Sequence, residues 1–389
     1  RLRLARYSRQ ISSAVSILNI KEEKKDMLRI GMLTSGGDCQ ALNATMRGVA
    51  KGLFSNLDKV EIYGFLEGYK GLMHGNYKKM SEKDFSGILT RGGTILGTSR
   101  QPFKQMRVVE DGFDKVKAMK DTYRKLGLDC LVVLGGNGSL KSANMLSEEG
   151  LNVIGLPKTI DNDIWGTDVT FGFQSAVEIA TEAIDNIHTT AESHGRVFIL
   201  ELMGHKVGWV TLHAGIAGGA DVLLIPEIPF TIDNIVKHVA KRDEEGYPYT
   251  VIAVAEGAKY ADGTKVIGKI VEDSPDPIRL GGIAAKVADD LEKAIPNHEV
   301  RSVNPGHIIR GGDIQSYDRI LSIRFGVKAL ELIKEGKFGN VVTLKGEKMS
   351  YTSLEEVIGD AKFGKQKHVD PEGELVKAAK AIGICFGDE

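Results

Sequence analysis

The chain has 389 residues, 42% of them hydrophobic, which exceeds one small core and suits two lobes sharing an interface. Its 51 basic and 52 acidic side chains leave a formal charge of -1, so the balance favours neither nucleic acid nor an anionic membrane as partner. No apolar run reaches the ~20 residues of a membrane span, and three cysteines make neither a disulfide framework nor a paired zinc motif, which points to a reducing cytoplasm.

Residues 1–26 begin RLRLARYSRQ, carry no acid before Glu22 and lack the long apolar stretch of a secretory signal. They are expected to be an extension outside the fold, with Met27 as the natural start. From there, short β-rich runs alternate with amphipathic helices. Residues 29–34 (RIGMLT) predict a strand, 35–38 a loop, 41–53 a helix and 61–65 a second strand. A helix over 114–126 leads to a buried strand, 130–134 (CLVVL), which ends at Gly135; a helix over 141–149 leads to a strand over 153–156. Phe173, Ala176, Val177, Ala180, Ala183, Ile184 and Ile187 recur at the helical period and predict a long helix over 173–190. Strands over 197–202, 222–225 and 250–255 follow, then a loop over 271–277 and helices over 283–295 and 320–335.

This alternation predicts an α/β protein of doubly wound parallel sheets, in which ligands bind beyond the carboxyl ends of the strands. The loops with chemical content sit there: TSGGD after the first strand, GGNGS after CLVVL, PKTIDND after NVIGL, and Glu256 after TVIAVA. Backbone N–H groups of glycine-rich turns beside a helix N-terminus can cradle phosphate oxygens, and two such loops, at Ser35-Gly36-Gly37 and Gly135–Ser139, suggest a polyphosphate. The dinucleotide fingerprint does not follow any strand, and residues 263–270 (GTKVIGKI) approach a P-loop but end in Ile rather than a magnesium-binding hydroxyl.

In PKTIDND, Asp161 and Asp163 stand two residues apart. One carboxylate can accept the proton of an attacking hydroxyl, the other can help position magnesium or the transferring group, and Thr159 offers a hydroxyl to hold one in place. Read alone, the pair is equally an acidic turn that caps the next helix. The cations Arg100, Arg196, Arg301, His307 and Arg310 could bind phosphate, although each one singly fits an ordinary ion pair or loop contact as well.

Taken in order, TSGGD, GGTILGTSR, GGNGS, PKTIDND, SHGRV, ELMGH, Pro226-Glu227, EGA at Glu256, NPGHIIRGG and YDR at Tyr317 resemble the phosphofructokinases from about residue 27 to about residue 359. The resemblance implies two doubly wound Rossmann-like lobes with the active site in the cleft between them. Residues 27–172 plus 308–365 would form the larger, donor-binding lobe, 173–307 the smaller, sugar-phosphate-binding lobe, and 366–389 a C-terminal helical segment. It further implies phosphoryl transfer from ATP, with Mg²⁺, to the 1-hydroxyl of fructose 6-phosphate. Asp161 would be the general base, with Thr159 and Asp163 beside it. Gly36, Arg100, Gln101, Gly136, Asn137, Gly138 and Ser139 would hold ATP, and Arg100 would also stabilise the group in flight. Thr159, Asp161, Met203, Gly204, His205 and Glu256 would bind the sugar, and Arg196, Arg301, His307 and Arg310 its 6-phosphate. Arg196 and Arg301 would reach the site from a neighbouring subunit, which implies a homo-oligomer, dimer or tetramer.

The chain departs from the family pattern at three places. Asn137 stands where a magnesium-binding Asp is usual, and an amide oxygen is a weaker ligand. Gly138 leaves room for the α-phosphate of ATP, whereas Lys158 commonly accompanies pyrophosphate use; ATP is the expected donor, with the pyrophosphate-dependent enzyme and a non-catalytic sugar-phosphate-binding regulatory subunit as alternatives. His205 replaces an Arg common in bacterial relatives and offers less phosphate neutralisation.

Overall fold

The computed structural model describes residues 27–270, 278–359 and 366–389; the expected extension over 1–26 and loop over 271–277 lie outside them. Hydrophobic runs of five to eight residues form the strands Leu28–Ser35 (β1), Val60–Phe65 (β2), Cys130–Gly135 (β4) and Val153–Pro157 (β5), while Tyr77–Met80 (β3) is mostly exposed. A second group follows: Val197–Leu202 (β6), Val222–Leu224 (β7), Thr250–Ala255 (β8), the antiparallel pair Ile267–Ile270 (β9) and Ile278–Leu280 (β10), and Val300–Val303 (β11). The chain then returns to the first sheet with Asn340–Lys345 (β12) and Lys348–Ser353 (β13).

The larger sheet runs β13-β12-β5-β4-β1-β2-β3, with five parallel strands inside and antiparallel strands at both edges. Its interior strands are buried almost throughout, as a parallel sheet covered on both faces requires. The smaller sheet, β11-β6-β8-β7, is wholly parallel. Helices Leu42–Asn56 (α1), Tyr69–His74 (α2), Lys115–Lys125 (α3) and Asn137–Glu148 (α4) connect the first strands. Phe173–His194 (α5), Trp209–Ala217 (α6), Ile232–Glu244 (α7) and Ile283–Ala294 (α8) serve the second sheet. Ser316–Lys334 (α9), Leu354–Ile358 (α10) and Glu374–Ala381 (α11) complete the described helices.

Register explains the site. Ser35 pairs with Gly135 and Gly135 with Pro157, so β1, β4 and β5 end level with one another. The strand order also reverses here: the chain leaves β1 for β2 on one side and β4 on the other, which is where doubly wound sheets open a crevice. In the smaller sheet Leu202 pairs with Ala255, which sets Met203 beside Glu256.

Most predicted elements are present, with shifted ends. The helix expected from 141 begins at Asn137, so the glycine-rich stretch is itself the first turn of α4. That is permitted because the first N–H groups of a helix have no partner within it. The long helix α5 continues to His194, where Gly195 at φ 58° ends it and its N–H donates to the carbonyls of Ala191 and Glu192. Helix α7 was not expected, although Thr231 caps it by accepting from the Asn234 N–H at 3.2 Å. Residues 366–389 hold the short helix α11, after which Cys385 pairs alongside Val222 at the β7 edge.

Helices α1 and α9 cross with almost no side-chain spacer. A β-carbon placed on Gly326 would fall 2.4 Å from the Gly48 carbonyl carbon, and one on Gly48 would lie 3.1 Å from the Ile323 Cα. Backbone cannot yield as a side chain can, so Gly326→Ala should cost at least the ~1–3 kcal/mol of ordinary overpacking. Thermal unfolding checks this: the variant's midpoint should fall by several degrees, whereas Gly336→Ala, where the added carbon meets nothing within 4 Å but φ is 64°, should lose less.

Candidate active site

The level strand ends open into a cleft of about 620 Å³. On the larger-sheet side, Gly36 at φ 88° follows β1 and is sewn to the loop before Arg100: its N–H donates to the Ser99 carbonyl at 3.3 Å, and the Thr98 hydroxyl donates to its carbonyl at 2.7 Å. Asn43 anchors the same loop by donating to the Arg91 carbonyl at 2.9 Å and accepting from the Ile95 N–H at 2.8 Å. A side chain at Gly37 would strike Arg310, whose Nη1 donates to the Asp38 carbonyl at 3.0 Å. A β-carbon at Gly138 would meet nothing within 4 Å, so the N-terminus of α4 borders open space.

Lys158 follows β5 and is buried to 3% exposure, with its ammonium donating to the Gly37 carbonyl. Burial pulls its pKa down, while the nearby Cys39, Asp161 and Asp38 pull it up and Arg310 opposes them. The Asp161 N–H donates to the Thr159 hydroxyl at 3.0 Å, and the Thr170 hydroxyl donates to the Thr159 carbonyl at 2.8 Å. Asn162 takes a left-handed φ of 53°, which Asn tolerates, and its Oδ1 accepts from the Thr170 N–H at 3.0 Å. The kink separates the two aspartates. Asp161 stays partly open in the cleft, while Asp163 turns inward and is only 6% exposed.

Asp163 accepts from the amides of Asn137 at 2.8 Å and Gln366 at 2.9 Å, both on Oδ2. Burial first, and then the charge of Asp161, raise its pKa to about 6 against the pull of Gln366, His205 and Asn137. Across the cleft, Glu256 accepts from the N–H groups of His205 at 2.7 Å and Gly204 at 3.2 Å through one oxygen. Burial raises its pKa too, with Asp161 adding to the effect. His307 and Arg310 come from the short turn Gly306–Arg310.

The cleft therefore gathers Gly36, Arg100, Gln101, Gly136, Asn137, Gly138, Ser139, Lys158, Thr159, Asp161, Asp163, Met203, His205, Glu256, His307 and Arg310, with Gly204 at its edge through Glu256. Arg196 and Arg301 are not among its lining residues. Arg196 precedes β6 and Arg301 pairs with Phe198, so both sit at the far end of a six-residue strand from Met203, about 20 Å away at the rise of a strand. They share Glu299, with Arg196 Nε 2.5 Å from Oε2 and Arg301 Nη2 against Oε1.

Sequence reasoning missed Phe103, Leu280 and Gln366, which also line the cleft. Phe103 lies three residues past Arg100 and was within reach of the motif; Gln366 had no local signal. Asp318 of the YDR motif proves architectural: fully buried, it accepts from the Ser175 hydroxyl at 2.7 Å and the N–H groups of Ser175 at 2.8 Å and Gly172 at 3.2 Å, pinning α9 to the start of α5. For magnesium, Asp161 and Asp163 offer the hard carboxylate oxygens that ion takes, whereas the Asn137 amide nitrogen is already turned to Asp163. Among the described residues no group of three or more His, Cys, Asp or Glu could hold a metal ion.

Residues 29–333 match the phosphofructokinase family. The chain is 54% identical over 366 residues to the ATP-dependent 6-phosphofructokinase 2 of Clostridium perfringens, across 92% of this chain and 98% of that protein. It is 48% identical over 362 residues to the ATP-dependent 6-phosphofructokinase of Spirochaeta thermophila, across 92% and 97%. Among solved structures, phosphofructokinase from Saccharomyces cerevisiae superposes with a TM-score of 0.73 at 30% identity over 85% of this chain, which spans 45% of that chain's length.

Asp163 carries a testable thermodynamic consequence. Its folded pKa, about 6, lies above the ordinary 3.8, so the folded state holds the proton more tightly and ionisation of this group opposes folding. The penalty is fully present above the folded pKa, shrinks as pH falls through it, and vanishes below the ordinary value. Asp163→Asn should therefore raise the unfolding midpoint in mildly alkaline buffer, with a gain that shrinks progressively on acidification; differential scanning fluorimetry across pH measures it.

Proposed function

The chain belongs to the phosphofructokinase family, and from that membership we infer that it transfers the γ-phosphoryl group of ATP to the 1-hydroxyl of fructose 6-phosphate, the glycolytic step that yields fructose 1,6-bisphosphate and ADP. The observation that carries the residue assignment is the placement of Asp161. It is the partly open carboxylate between the glycine loops of one sheet and Met203, His205 and Glu256 of the other. Asp161 takes the proton of the 1-hydroxyl as that oxygen attacks phosphorus, with its backbone fixed by Thr159. Asp163, behind it, orients the group and adds negative charge only in proportion to its ionisation.

Phosphoryl transfer needs positioning and charge neutralisation more than covalent chemistry. Gly36, Gln101 and residues 136–139 hold the ATP phosphates, with N–H groups at the start of α4 as donors. Arg100 neutralises the group in flight. When bound, magnesium supplies charge neutralisation on the donor phosphates, and Asp161 and Asp163 are the residues that would hold it. The open space at Gly138 favours ATP over pyrophosphate, and the Lys158 ammonium is engaged with the Gly37 carbonyl. His205, Glu256 and the Met203-Gly204 backbone hold the sugar, and His307 and Arg310 its 6-phosphate.

The outward position of Arg196 and Arg301 supports their acting on a neighbouring subunit's substrate, hence a homo-oligomer. We assign residues 27–172 with 308–365 to the donor lobe and 173–307 to the sugar-phosphate lobe, since the two sheets draw their strands from those stretches. A cytoplasmic location accords with the glycolytic role; among the described residues no helix is long and apolar enough to cross a membrane.

A coupled assay with fructose 6-phosphate, magnesium and either ATP or pyrophosphate should give product with ATP alone; product with neither would favour a regulatory subunit. In the same assay Asp161→Asn should lose about 10²–10⁴ in kcat while its thermal unfolding stays cooperative. Gly138→Asp should abolish ATP use by filling and charging the space beside α4, and retained ATP turnover would show that this space does not select the donor.

A further inference from the structure

Gln366 belongs to neither sheet and lies beyond residues 29–333, the stretch that matches the family. It nevertheless lines the cleft and donates through Nε2 to Asp163 Oδ2 at 2.9 Å. Its neighbours hold it there from two directions. On the larger-sheet side it pairs with Ile164, the Lys367 N–H donates to the Asp163 carbonyl at 2.9 Å, and the Lys367 ammonium donates to the carbonyls of Thr167 at 3.1 Å and Asp168 at 2.5 Å. On the smaller-sheet side the Trp209 indole donates to the Lys367 carbonyl at 2.8 Å, and the Val369 N–H donates to Glu227 at 3.0 Å. Gln366, Lys367 and Val369 thus tie both lobes to the back of one carboxylate.

From this we propose that Gln366 is a positioning residue for phosphoryl transfer, acting through Asp163; the proposal rests on the functional reading above. The chemistry is directional. A carboxylate in a buried site is an acceptor, and an amide N–H is the donor that suits its ionised form. Asn137 and Gln366 supply two such donors to the same oxygen, one from the first turn of α4 and one from the C-terminal segment. The second oxygen, Oδ1, takes neither. Fixing Oδ2 sets the rotation of the carboxyl group and so where Oδ1 lies relative to Asp161. Asn137 alone would leave that rotation free to follow α4. Gln366 refers it to a segment anchored on both lobes, so Asp163 is oriented correctly only when the lobes stand in this relation.

Gln366→Met preserves length and removes the donor; Gln366→Glu preserves shape and turns the donor into a second acceptor facing Asp163. In steady-state kinetics with ATP and fructose 6-phosphate, the Met variant should lose about tenfold in kcat, on the scale of one positioning contact, with both KM values changed less than about threefold. The Glu variant should lose at least as much. The Met variant should unfold near the parent temperature, and the Glu variant earlier, because two carboxylates then face each other in a buried site. Gly326→Ala, at the crossing of α1 and α9 and outside the residues that line the cleft, separates packing from positioning: it should unfold earlier yet keep its kcat. The proposal is overturned if Gln366→Met keeps the parent kcat, or if kcat and unfolding temperature fall together in all three variants. Turnover by the unaltered enzyme in the same assay reports separately on the phosphofructokinase reading, so failure of one is not mistaken for failure of the other.

Discussion

Three parallel strands, β1, β4 and β5, stop at the same level, and the site depends on that register. Ser35, Gly135 and Pro157 form one row across the larger sheet, so the residues that follow them emerge side by side. The row is fixed by burial rather than by the loops. Ile30, Met32, Cys130, Val132, Ile154 and Leu156 pack in one core cluster, and Leu33, Leu131, Val133 and Val153 in another. A slip of one residue would exchange those sets between faces and scatter the loops by a strand's rise.

Given that row, the electrostatics follow from how far each loop turns inward. Asp161 and Asp163 are chemically alike and two positions apart, yet the left-handed turn at Asn162 gives them different surroundings. One faces the cleft; the other meets two amides and the protein interior. Paired carboxylates become useful when their environments push them apart in this way. Lys158, three residues before Asp161, offsets that carboxylate's charge, is buried where an unpaired ammonium would be costly, and also supports the carbonyl of Gly37. Glu256 repeats the pattern from the other sheet, as a half-buried acid tied to backbone N–H groups.

What the sequence could disclose divides along physical lines. Interior strands such as CLVVL were legible because a parallel strand covered on both faces must be apolar throughout. The loops after them were legible because each carries its chemistry within a few residues. Edge strands β3 and β13, exposed and charged, present no such run, and the helix α4 began early because glycine and serine at its first turn look like a loop until the helix is seen. Gln366 was illegible for a different reason. Its partner is 203 residues distant, and nothing local marks a glutamine as the donor to a buried aspartate. The close pair Gly48 and Gly326 is hidden likewise, since only the helix crossing explains two mid-helix glycines.

The arginines outside the cleft bear on how the site balances charge. Asp161, Asp163 and Glu256 already place carboxylates in it, and the substrates bring phosphate groups of the same sign. The cations of this chain that face the cleft are partly engaged: Lys158 with Gly37 and Arg310 with the Asp38 carbonyl. Arg196 and Arg301 are meanwhile gathered on Glu299, at the wrong end of β6 to help their own chain. On the proposal that they serve a neighbouring subunit, a second copy would supply that positive charge. Such an arrangement would make neutralisation of the sugar phosphate depend on the contact between chains, while proton abstraction by Asp161 stays within one. Substrate binding and chemistry would then respond differently to anything that shifts one subunit against another.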